Sequence, residues 1–146
     1  MSDPHLAVLD HAVQQTNLWL KNLGGLLHDD ERHHAYSALR AVLHALRDRL
    51  PPESVVQLGA QFPLIVRGIY YEGWHLAGKP QRDRDVQSFL DHVARELPPN
   101  FPRDALGTTK AVFGLLWREL DPGETTKIID LLPVPLKAWW PSAAVR

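Results

Sequence analysis

Apolar positions along this chain recur in steps of three and four. Leu6, Leu9, Val13, Leu20, Leu23 and Leu27, with Thr16 between them, fall on one face of a helix. Asp3 is placed to cap that helix and Pro4 to open it, since a first-turn residue loses nothing by lacking an amide donor. Gly24-Gly25 is expected to weaken or end it. Asp29-Asp30-Glu31 then supplies negative charge where the dipole of a second helix favours it. From Glu31 to Leu50 the stripe is Ala35, Leu39, Val42, Leu43, Leu46 and Leu50. Arg32, Arg40, Arg47, Asp48 and Arg49 lie off that stripe and read as a solvated face. Pro51-Pro52 stops this helix, and Pro52-Glu53 opens a third through Val55, Val56 and Leu58 toward Phe62. Pro63 breaks the chain again, and Leu64 to Tyr71 reads as a short buried fourth helix.

Gly73, Gly78, Pro80 and the run Gln81-Arg82-Asp83-Arg84 mark a polar connection, after which the pattern restarts. Val86, Phe89, Leu90, Val93 and Leu97 form one face, ended by Pro98-Pro99. Asn100 is a candidate cap for the next helix, whose buried side is Val112, Phe113, Leu116 and Leu120. Asp121-Pro122-Gly123-Glu124 combines a cap, a first-turn proline and an acidic third position. Pro133 interrupts as Pro63 did. No segment shows the strict alternation of a half-buried strand, so the expected fold class is all-α.

The restart has a register. Shifted by 70 residues, the chain pairs with itself without gaps from Trp19 to Pro63, and nine of the 45 pairs, or 20%, are identical. Seven identities are apolar residues on the expected core faces, and the other two are Pro52 on Pro122 and Pro63 on Pro133. Asp30 and Asn100, both competent caps, also coincide. The expectation is a single helical domain over 1–146, made of one unit at 3–72, a linker at 73–84 and a second unit at 85–141. Neither unit has enough helices to close a core alone, so the two are expected to pack as a compact bundle about a pseudo-twofold axis.

Composition narrows the function classes. Sixteen Lys and Arg stand against 17 Asp and Glu, a net charge of −1, without the clustered positive charge that nucleic acid or an acidic membrane surface selects. There is no cysteine, which removes disulfides, thiol catalysis and cysteine-type zinc sites. No apolar run approaches a membrane span, and the first residues lack the basic start and apolar core of a signal peptide, so a cytoplasmic protein is expected.

Two segments carry candidate chemistry. His28-Asp29-Asp30-Glu31-Arg32-His33-His34 sets three potential metal ligands, His28, His33 and His34, among carboxylates. Against a metal site, successive helical residues point about 100° apart, and the second unit has no histidine in this stretch. Tyr70-Tyr71-Glu72-Gly73-Trp74-His75, near Arg67, reads as an aromatic binding pocket or an acid–base pair of Glu72 and His75. The alternative is architectural: the aromatics plug the bundle end, Gly73 supplies a left-handed stop, and Glu72 pairs with Arg67. Trp139-Trp140 repeats the aromatic bulk without the acid or the histidine. His44 reads as a helix-face histidine satisfied by a neighbour, and His5 and His11 as solvated. There is no phosphate-binding glycine loop, nucleophile elbow or His-Glu-x-x-His motif.

Arg32-His33-His34-Ala35-Tyr36, Ala38 to Pro51, Leu58-Gly59-Ala60-Gln61-Phe62-Pro63 and Arg67-Gly68-Ile69-Tyr70-Tyr71-Glu72-Gly73-Trp74 together resemble a bacterial family catalogued as domain of unknown function 2267. Lys110-Ala111-Val112-Phe113 and Leu131-Leu132-Pro133 echo it more weakly, and Phe62 replaces a smaller aliphatic residue usual in the family. The resemblance implies a small helical bacterial protein and no particular reaction. With no catalytic motif and no cofactor expected, the reading is a noncatalytic protein-interaction module that self-associates through some of its five tryptophans. The alternative is a small-molecule or metal-binding protein using 28–34 or 70–75.

Overall fold

The computed structural model describes residues 6–141, which contain eight helices and no strand. They are α1 (Ala7–Leu27), α2 (Arg32–Arg47), α3 (Pro52–Gln61), α4 (Leu64–Tyr71), α5 (Val86–Glu96), α6 (Ala105–Glu119), α7 (Pro122–Asp130) and α8 (Val134–Lys137). The all-α expectation holds, and the proline-marked starts at 52, 64, 122 and 134 fall where the sequence puts them.

Helix α2 is the axis of the molecule. It packs against α1, α4, α5 and α6, and from Ala38 to Arg47 only Arg40 is not buried. Leu39, Val42, Leu43 and Leu46 meet Leu23 and Leu27 of α1, Phe89 and Val93 of α5, and Val112, Phe113 and Leu116 of α6 in one continuous core. α3 lies against α4 and α7, and α7 against α6. α3 and α7 begin 70 residues apart, as do α4 and α8, whereas α2 and α6 begin 73 apart.

Four expectations are corrected. α1 runs through Gly24-Gly25 to Leu27 and stops where His28 turns left-handed, at φ 54°. The outer part of its stripe leaves the core: Leu6, Leu9 and Val13 are 59%, 53% and 50% exposed. The caps shift as well. Glu31, not Asp30, accepts the His33 amide at the start of α2, and Asp104, not Asn100, accepts the Gly107 amide at the start of α6. Asn100 instead adopts a left-handed turn. Of the residues read as a solvated face, Arg32 is exposed and Arg40 half-buried, but Arg47, Asp48 and Arg49 at the end of α2 are buried, at 4%, 7% and 9% exposed. The expectations for Asp3, Pro4 and His5 lie outside the described residues.

None of the five tryptophans is fully exposed. Trp19 and Trp140 are buried, and Trp74, Trp117 and Trp139 pack partly buried against the core. Trp140 stacks on Phe113 at 4.2 Å between centroids and an interplanar angle of 11°.

Candidate functional site

Positions 40, 44 and 47 of α2 lie on one face at helical spacing, and that face looks onto α4 and α5. It is polar, so each group must find a partner as it leaves water. Glu96, in the last turn of α5, is the hub. His44 Nδ1 lies 2.7 Å and Arg40 Nη1 3.0 Å from its Oε1, while His92 Nε2 lies 2.9 Å from its Oε2. Arg40 also donates to Glu72 at 2.9 Å.

Both ring nitrogens of His44 face acceptors, Glu96 Oε1 and the Ile69 carbonyl at 2.8 Å, so both bonds form only when the ring is an imidazolium. His92 differs: Arg49 Nη1 donates to its Nδ1 at 3.0 Å, leaving Nε2 to carry the proton that goes to Glu96. Burial opposes ionisation of Glu96, but the hydrogen bonds from His44 and His92 outweigh it and hold the carboxyl at about 2, down from 4.5.

The same helix closes the seam at its far end. Arg47 donates to the Tyr70 and Glu72 carbonyls at 2.8 Å each and pairs with Asp48 at 2.8 Å. Arg49 forks onto Asp83 at 2.7 and 3.1 Å, with its guanidinium 5.3 Å from the Phe89 ring centre. The Gln81 amide donates to the Asp48 carbonyl at 2.7 Å, so the connection between the halves is clipped to α2 twice. Cavities lie beside Arg49, but neither is lined by His44, His92 or Glu96. The seam is therefore a clamp joining α2, α4 and α5.

The residues singled out from sequence are distributed differently. Tyr70 is fully buried and donates to the Val55 carbonyl at 2.8 Å, and burial pushes its phenol up in pKa. Phe62, Tyr70, Tyr71 and Trp74 run ring against ring with centroids 4.9, 4.9 and 6.1 Å apart. Gly73 takes the left-handed turn at φ 75°. The expected Glu72–Arg67 pair is absent: Glu72 goes to Arg40, while Arg67 donates to the Gly59 and Phe62 carbonyls that end α3. His75 is exposed and bonds to none of the described residues, so no Glu72–His75 acid–base pair is assembled.

The histidine–acid segment does not converge either. His28 is the stop of α1, His33 is exposed, and His34 Nδ1 lies 2.8 Å from Asp29, its ring edge-on to Phe101. The Glu31 amide, with His34, holds the Asp29 carboxyl below the usual carboxylate range although burial opposes it. A cavity of about 480 Å³ over this turn is lined by Asp29, Asp30, Glu31 and Arg32 and by none of the three histidines. Among the described residues, no group of three or more His, Asp or Glu is arranged to hold a metal ion.

Sequence reasoning missed His92, Glu96 and Asp83. One signal was available: His92 and Glu96 are four apart on a helix whose stripe runs through Val93, a spacing that puts both on one face beside the core.

Fold and seam define a helical bundle organised around one buried, ion-paired central helix. Residues 16–139 match the family described as an uncharacterized conserved protein (DUF2267), and the chain belongs to that family. A search of the curated proteins finds no match. None of the helices among the described residues is long and apolar enough to cross a membrane.

Proposed function

We propose that this protein is a noncatalytic helical interaction module that associates with a second copy of itself through the outer half of α1. The carrying observation is the stripe of Leu6, Leu9 and Val13, half or more exposed yet continuous with the buried Thr16, Leu20, Leu23 and Leu27 on the same face. Steps of three and four make it a seam of the kind two helices share. A net charge of −1 leaves little repulsion between copies. Residues 6–13 span roughly 11 Å, well short of a standard interface, so the association is weak. The expected tryptophan anchors lend no support, because they are packed against or within the core.

Sedimentation velocity between about 1 and 200 μM tests this. The wild-type chain is expected to shift from monomer toward dimer, and Leu9→Glu/Val13→Glu to stay monomeric with unchanged helical circular dichroism. A wild-type monomer at every concentration would overturn the reading.

The module's architecture is read as a duplication. The coincident starts of α3 with α7 and α4 with α8 at an offset of 70 support it, as does the pairing of buried Tyr70 with buried Trp140. Resemblance to a bacterial family and the absence of cysteine favour action in the bacterial cytoplasm.

A further inference from the structure

The segment between the halves builds a basic cleft. A cavity of about 600 Å³ opens between residues 78–84 and the end of α2, and Arg49, Lys79, Arg82 and Arg84 line it with no carboxylate among the lining residues. In a chain of net charge −1, four cations on one cavity are a local concentration. Its volume lies within the range of small-molecule sites.

What makes the cleft a site is how the charges are partnered. Arg49 is structural, forked onto Asp83 and bonded to His92 and the Ala45 carbonyl. The nearby acids are likewise occupied: Asp83 by Arg49, Asp85 by the Ser88 amide and hydroxyl, Asp91 by Gln87. No side-chain partner among the described residues neutralises Lys79, Arg82 or Arg84. Gln81 adds a neutral amide to the lining, and its backbone bond to Asp48 holds the segment over the cavity. Three unpaired cations thus line a preformed cavity, and the Gln81 amide can donate beside them.

The geometry points to this cleft as a binding site for a small molecule carrying two or more phosphate groups, such as a pyrophosphate or a nucleoside diphosphate. Guanidinium forks match phosphate oxygens in pairs, and Lys79 adds a point charge. An extended polyanion gains less, because the adjoining depression includes Asp83 and Asp91. The site is separate from the α1 seam and stands whether or not the chain self-associates.

Isothermal titration of the full chain with inorganic pyrophosphate, ADP and citrate at about 50 mM ionic strength tests the assignment, since charge attraction is not yet strongly screened there. Saturable one-to-one binding of pyrophosphate and ADP, both tighter than citrate, is expected. ADP much tighter than pyrophosphate identifies a nucleotide as the ligand, and equal affinities identify the diphosphate alone. Arg82→Gln/Arg84→Gln, both exposed in the free chain, is expected to weaken binding at least about tenfold, whereas Lys110→Gln/Lys137→Gln, the same charge loss away from the cleft, changes it less than about twofold. No heat with any probe at millimolar concentration overturns the proposal, as does equal weakening by both double variants. A duplex oligonucleotide bound more than about a hundredfold tighter than pyrophosphate also overturns it, in favour of a nucleic-acid surface.

Discussion

Glu96 shows how one residue can carry a pH signature. Its carboxyl sits near 2 in the folded chain against an ordinary 4.5, a depressed value. The stabilisation from ionised Glu96 is therefore fully present above about pH 4.5 and is lost as the pH falls toward 2. The shift corresponds to about 3 kcal/mol, an order-of-magnitude figure for a side chain 21% exposed. Glu96→Gln is expected to lose about 2–4 kcal/mol at pH 7 in urea unfolding, because His44 and His92 lose the carboxylate their ring nitrogens face and Arg40 keeps only Glu72. The variant's stability should also fall less steeply than wild type between pH 4.5 and 2. Identical slopes would show that Glu96 does not hold this proton balance. Gly59 carries a second residue-scale prediction. A β-carbon there would collide with the Tyr71 ring and hydroxyl, so Gly59→Ala is expected to cost about 1–3 kcal/mol in thermal unfolding, and Gly59→Ala/Tyr71→Leu to recover part of that loss.

Helix ends separate what can be read locally from what cannot. Asp104 accepts the Gly107 amide at 2.6 Å, whereas Glu31 reaches the His33 amide only at 3.5 Å. Asp104→Ala is therefore expected to cost about 1 kcal/mol and Glu31→Ala only a few tenths, measured side by side in urea. Asp121-Pro122 and Pro52 were legible because proline geometry and capping are decided within four residues. Asp104 competes with nearby Asn100, and only packing of the preceding turn decides which of the two caps α6. The apolar stripe of α2 was legible for the same local reason, its period being set by the helix itself. Its polar face was not. Arg49 is buried and Arg40 half-buried by partners 34 and 56 residues away, and a charged residue read without its partner is assigned to solvent. The outer half of α1 fails in the opposite sense. Its period is indistinguishable from that of the buried half, and nothing local says that the core ends near Ala12.

At the scale of the whole molecule, the halves cannot be stable separately. α2, from the first half, packs on α5 and α6 of the second, and α1 packs on α6. The first half alone would expose Leu39, Val42 and Leu46 of α2 where Phe89, Val93, Val112 and Leu116 now join them in the core. It would also strand His44 and Arg40 without Glu96, and Arg49 without Asp83 and His92. Each apolar side chain returned to water forfeits about 1.5–3 kcal/mol, so losing even four removes as much as a typical domain's whole stability. Fragments 1–72 and 73–146 are thus expected to show weak helical circular dichroism and no cooperative melting when separate. Mixed at equal concentration, they should regain both, since the interface between them is the core itself. Cutting at 72–73 leaves both clips to α2, Gln81 on Asp48 and Arg49 on Asp83, able to re-form between fragments. Mixed fragments should thus also recover the basic cleft, and a first fragment that melts cooperatively alone would show that α1 to α4 close a core without α5 and α6.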